Sequence, residues 1–144
     1  MTSCHADSPP PPSLHRRWLD LVSFINDILG ALLVNYDVRF YVTEGGRDVF
    51  RDWISGVRDI LGKTAIARRI NRLRNGLFGD HAPCRGGVWE LRIDHGPGYR
   101  VYYSKIGRDV VLVLGGGDKH SQSADITRAC EFLRQELRRM NDAE

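Results

Sequence analysis

The apolar positions of this chain change their period several times, and each change marks an element. Between Leu14 and Val34, residues Trp18, Leu21, Val22, Ile25, Ile28, Leu29 and Leu32 recur near helical spacing. Val38 to Thr43 alternates around two aromatics, as a strand does, and Glu44-Gly45-Gly46 turns the chain. Phe50, Trp53, Ile54, Val57, Ile60 and Leu61 predict a helix with one buried face that ends at Gly62. A second helix is predicted from about Lys63 to Asn75, stopping at Gly76, with Ile66, Ile70 and Leu73 inward. So short a link between them predicts a helical hairpin.

After a polar loop, Leu77 to Gly87, the period becomes two. Trp89, Leu91 and Ile93 fall on one face, with Val88, Glu90, Arg92 and Asp94 on the other. Past the Gly96-Pro97-Gly98 turn, Tyr99, Val101 and Tyr103 take the buried side, and Arg100 and Tyr102 the open side. Val110 to Leu114 is apolar on both parities, as a strand covered on both faces should be. From about Ser121 a last helix places Ile126, Cys130, Leu133 and Leu137 on one face. The expected fold class is α+β: a strand, a helical hairpin, a three-stranded antiparallel region and a C-terminal helix, over residues 36–140, with an N-terminal helical extension.

Residues 1–13, with the run Pro9 to Pro12, are expected to form a disordered tail, and 14–35 an amphipathic helix docked on the domain or on a partner. Asp20 and Asp27 inside that stretch argue against a signal sequence or a membrane span. Three widely spaced cysteines and five scattered histidines suggest no disulfide framework, no metal site and no cofactor, so a cytoplasmic setting is expected.

The net charge of +3 over 144 residues conceals an uneven distribution. From Lys63 to Arg108 ten basic residues stand against Asp80, Glu90 and Asp94, leaving +7 in that window. Most are arginines, whose planar fork suits phosphate oxygens, so a polyanion is a natural partner. A solvated helix face, or an acidic protein partner, would account for the same charge. Cleaving RNA without a metal takes a base for the 2′-hydroxyl, a cation for the phosphoryl oxygens and an acid for the leaving oxygen. Glu90, Arg92 and Arg100 share one face of neighbouring strands, with Lys119 and His120 just beyond the third. Glu90 is a candidate base, though a cross-strand ion pair with Arg100 is the preferred reading for it; Lys119 or His120 is the candidate acid. Gly115 to Gly117 lacks the Walker pattern, because Asp118 and His120 flank Lys119. Those glycines are expected to let the backbone leave the sheet.

From Phe50 to about Phe132 the motifs F-x-x-W, R-L-R-N-G-x-x-G-D, G-V-x-E-L-R-I, G-P-G-Y-R-V-Y-Y and G-G-D-K-x-x-Q-x-x-D-I occur in order. In this the chain resembles the HigB-like addiction module killer proteins of the RelE/ParE superfamily of type II toxins. The resemblance implies a RelE/ParE-like fold and a toxin silenced by a cognate antitoxin, typically a helix-turn-helix DNA-binding protein. It further implies a metal-independent mRNA endoribonuclease that works on the ribosome, with DNA gyrase inhibition of the ParE kind as the alternative. Arg100 matches the arginine that contacts the scissile phosphate in RelE-type toxins, and Lys119 and His120 fall where such toxins place a second basic group. Glu90 replaces a lysine base, and Ile126 a tyrosine, which leaves the proton-transfer roles open. Arg68, Arg69, Arg72, Arg74 and Arg85 are the candidate contacts to RNA backbone. No membrane partner is implied.

Overall fold

The computed structural model describes residues 12–33 and 35–143. The proline-rich tail expected over 1–13 lies outside the described residues except for its last two positions. These begin helix α1 (Pro12–Leu33). The remaining elements are β1 (Asp37–Phe40), α2 (Val49–Gly56), α3 (Ile60–Arg74), β2 (His81–Pro83), β3 (Trp89–Ile93), β4 (Tyr99–Ile106), β5 (Val110–Asp118) and α4 (Gln122–Asp142). The class is α+β, and the described residues form an open five-stranded sheet and four helices.

The strands lie in the order β1-β5-β4-β3-β2. Only β1 and β5 run parallel; every other pair is antiparallel. The sheet separates two apolar layers. On one face Ile66, Ile70 and Leu73 of α3 pack with Leu91, Val101, Tyr103, Val111 and Val113, joined by Phe50, Trp53 and Ile54 of α2. On the other, Ala129, Cys130 and Leu133 of α4 cover Val88, Tyr102, Leu112 and Leu114. Successive side chains of β5 therefore enter opposite cores, which explains its unbroken apolar run.

The two helices over the first face divide at a different place from the one the glycine signal indicated. Helix α2 stops at Gly56, and Asp59 caps α3 by accepting from Gly62 N at 3.0 Å. Gly62 is thus in the first turn of α3, so close to Tyr99 that an added Cβ would sit 2.7 Å from its ring. Consequently Ile60 and Leu61, expected inward, are 77% and 71% exposed. The pair is also less of a hairpin than the short link suggested, since α2 lies along β5 while α3 spans β1, β3 and β4, with a groove of about 220 Å³ between them. The far end of α3 follows the sequence signal: Gly76 (φ 75°) and Leu77 donate back to Leu73 O and Arg72 O, both at 3.0 Å.

Three further expectations need correcting. The loop Leu77 to Gly87 contains β2, a short edge strand paired with β3. Tyr102 is not on an open side, because α4 covers it to 1% exposure. Nor do the glycines release the backbone; β5 continues through them to Asp118. Each makes room for a neighbour instead. Gly115 (φ 145°) sits at a bulge between Tyr102 and Tyr103, a Cβ on Gly116 would collide with the Trp53 indole, and one on Gly117 with Asp125 and Ser121. Leu137, expected inward, is 42% exposed.

Ile66 is fully buried, so Ile66→Ala is expected to cost about 2 to 5 kcal/mol in urea unfolding. Asp59 also accepts from Tyr99 Oη at 3.3 Å and lies 3.1 Å from His95 Nε2, tying α3 to the β3–β4 turn. The Gly62 amide, with His95 and Tyr99, holds its carboxyl below the usual carboxylate range. A depressed carboxyl pKa contributes stability above the unfolded value of about 3.9, and that contribution disappears as pH falls through the folded value. Asp59→Asn keeps the cap but removes the charge. Its Tm deficit against wild type is expected to be full at pH 6 and to close below about pH 4; a gap independent of pH would show that the charge contributes nothing.

Candidate functional site

The β3–β4 register places Arg92 opposite Arg100, and Glu90 opposite Tyr102, on the α4 face of the sheet. Two like charges directly opposite repel, so something must hold them. Glu90 does this. Only 2% exposed, it accepts from Arg92 Nε at 2.9 Å through one oxygen and from Gln122 Nε2 at 2.8 Å through the other, with Arg100 Nε at 3.9 Å. The expected cross-strand pair with Arg100 is therefore only a distant charge contact; the close ion pair of Glu90 is with Arg92 on its own strand. At 2% exposure and bonded through both oxygens, this carboxylate is screened from a substrate by Arg92 and Gln122.

The guanidiniums differ in exposure. Arg92 has 44% of its side chain open and lies 3.9 Å from Asp80, and Glu90 raises its pKa by hydrogen bonding and charge. Arg100 is 13% exposed and turned toward the Tyr99 and Gly98 carbonyls, at 3.3 and 3.5 Å. Its Nε is buried with no hydrogen-bond partner. Both arginines line one cleft of about 390 Å³ with Lys119, the Gly96–Gly98 turn, Asp80 and Asp94. Gly98 (φ 80°) is the close approach: a Cβ there would touch Lys119 at 3.5 Å and Arg100 at 3.6 Å.

Lys119 is exposed at the top of a turn that Asp118 builds, accepting from His120 N at 2.8 Å and Ser121 N at 3.1 Å. Ser121 in turn donates to the buried Asp125 at 2.5 Å. Asp125 therefore positions Lys119 through Ser121, while Gln122 serves Glu90. His120 is exposed and does not line the cleft.

Of the remaining basic candidates, Arg68 and Arg72 are exposed on α3, and Arg74 reaches Asn71 at 3.1 Å. Arg69 is engaged elsewhere. It donates to the carbonyls of Arg92, Phe78 and Asp80 at 2.5, 2.9 and 2.9 Å, pinning β3 and the loop before β2 to α3, and burial lowers its pKa. Arg85 donates to Thr127 Oγ1 at 2.5 Å. These two brace the fold. The sequence reading missed Asp80 and Asp94 as cleft residues, since an acid among many bases carries no periodic signal. Among the described residues, no three His, Cys, Asp or Glu side chains gather to hold a metal, and no helix is long and apolar enough to cross a membrane.

The fold and site define an α+β protein whose sheet carries a cleft of two arginines and a lysine, backed by a buried carboxylate. No family model matches the chain. It is 44% identical over 88 residues to an uncharacterized protein of Haemophilus influenzae, a match spanning 61% of this chain and 88% of that protein, and it belongs to the same family.

Replacing Glu90 by Ala leaves Arg92 and Gln122 without their acceptor and Arg100 without its nearby counter-charge. Glu90→Ala is expected to cost roughly 2 to 4 kcal/mol in urea unfolding. A cost below about 0.5 kcal/mol would mean that the carboxylate does not hold the cleft.

Proposed function

We propose that the chain is the toxin of a type II toxin–antitoxin system, a HigB-like member of the RelE/ParE superfamily with the corresponding fold, and that it cleaves mRNA on the ribosome in the cytoplasm. The observation that carries this reading is the convergence of Arg92, Arg100 and Lys119 on one cleft, after the sequence motifs had singled out the same three residues. Arg100, partly desolvated and lacking a partner for Nε, is the cation for charge gathering on the phosphoryl oxygens. Lys119 is the acid for the leaving oxygen. Arg92 binds the neighbouring phosphate, and exposed Arg68 and Arg72 add affinity without sequence choice. The partners are the ribosome with its mRNA and a helix-turn-helix antitoxin that silences the toxin.

A second reading, inhibition of DNA gyrase without nuclease activity, is favoured by one feature: Glu90, at the expected base position, is buried and tied to Arg92 and Gln122, out of reach of a substrate hydroxyl. Expression in growing cells separates the two. Under the first, Arg100→Ala is expected to abolish growth inhibition while antitoxin binding persists, and wild type is expected to stop translation with cut transcripts. Full toxicity of Arg100→Ala would remove that arginine from the site, and double-strand DNA breaks with intact transcripts would favour the gyrase reading.

A further inference from the structure

Helix α1 presents an apolar face that no described residue covers. From Arg16 to Leu29 every side chain is exposed except Val22, which is half-buried, and none of these belongs to either apolar core. Trp18 is 63% exposed, Leu21 49%, Phe24 61%, Ile25 44% and Leu29 51%. A helix of 22 residues has little stability in water without packing, so this face needs a partner.

We propose that α1 pairs antiparallel with α1 of a second copy of the chain, making the protein a dimer. Three observations select that occupant. First, Trp18, Leu21, Ile25 and Ile28 follow one another at intervals of three, four and three, which is the seam of two helices wound on each other. Second, Phe24 and Leu29, 61% and 51% exposed, flank that seam and widen the apolar surface a second helix would cover. Third, the charges fit only one direction. With Leu21 opposite Ile25 of the second copy, Trp18 meets its Ile28. A parallel pair would bring the basic residues of both N-terminal turns, His15 to Arg17, to one end. Antiparallel packing instead sets each basic end against the negative C-terminal end of its neighbour. The polar face carries Asp20 and Asp27, which opposes docking on an anionic membrane surface.

Light scattering on the full chain, eluted from a sizing column between about 1 and 100 µM, tests this. Wild type is expected at twice the 16.4 kDa chain mass. Leu21→Asp/Ile25→Asp is expected at the single-chain mass with an unchanged melting curve for the α+β body, whereas Ser23→Asp, on the opposite face, remains dimeric. A wild type at single-chain mass at every concentration, or a dimer that survives Leu21→Asp/Ile25→Asp, would overturn the proposal. Should that double variant aggregate, the helix ends give an independent reading: Arg16→Asp/Arg17→Asp is expected to weaken the antiparallel dimer about threefold or more, whereas it would tighten a parallel one. No change, or a tighter dimer, would rule out the antiparallel pair.

Discussion

One carboxylate buried beneath the sheet surface governs the candidate site. Glu90 joins β3 to α4 through Gln122 and lies between two arginines that would otherwise face each other unbalanced. Because the carboxylate is enclosed and Arg92 is not, the arrangement fixes the Nε side of that guanidinium and leaves its other nitrogens to the cleft. Positive charge is thereby held on a rigid strand rather than on a loop, which lowers the entropy lost when an anion binds.

The glycine tract solves a packing problem of the same region. Trp53 on one face and the Ser121–Asp125 pair on the other both press against the backbone of β5. Only residues without a Cβ allow both, so the strand remains continuous while the two helical layers close on it. The turn bearing Lys119 then emerges at a fixed height beside the Gly96–Gly98 turn. A tract that looks like a flexible loop in sequence is, in three dimensions, among the tightest contacts in the molecule.

Much of this was legible from spacing. Alternation along β3 and β4 placed Glu90, Arg92 and Arg100 on one face, and the apolar run of β5 located the strand covered on both sides. Arg92, Arg100 and Lys119 could be grouped because strand parity and one turn suffice to align them. What remained hidden depends on contacts distant in sequence. Asp59 as the α3 cap, rather than Gly62 as the α2 terminator, becomes visible only once Tyr99 and His95 are seen to converge on it. Arg69 and Arg85 looked like surface charge, since a guanidinium that bonds to backbone carbonyls or a hydroxyl has the same pattern as one facing solvent. Tyr102 was assigned to an open side because the cover supplied by α4 has no local signature in β4.

The strands at the two borders of the sheet have a bearing on how copies of this chain can meet. β1 has four residues, with Asp37 and Arg39 paired across its outer surface at 2.8 Å, and β2 has three and ends in a proline. Neither offers a long row of free amide and carbonyl groups, so recruitment of a foreign strand onto the sheet is disfavoured from both sides. Contact between molecules is thereby left to side-chain surfaces, where shape and charge can discriminate, and the route by which partly unfolded β proteins form fibrils is narrowed at its starting point.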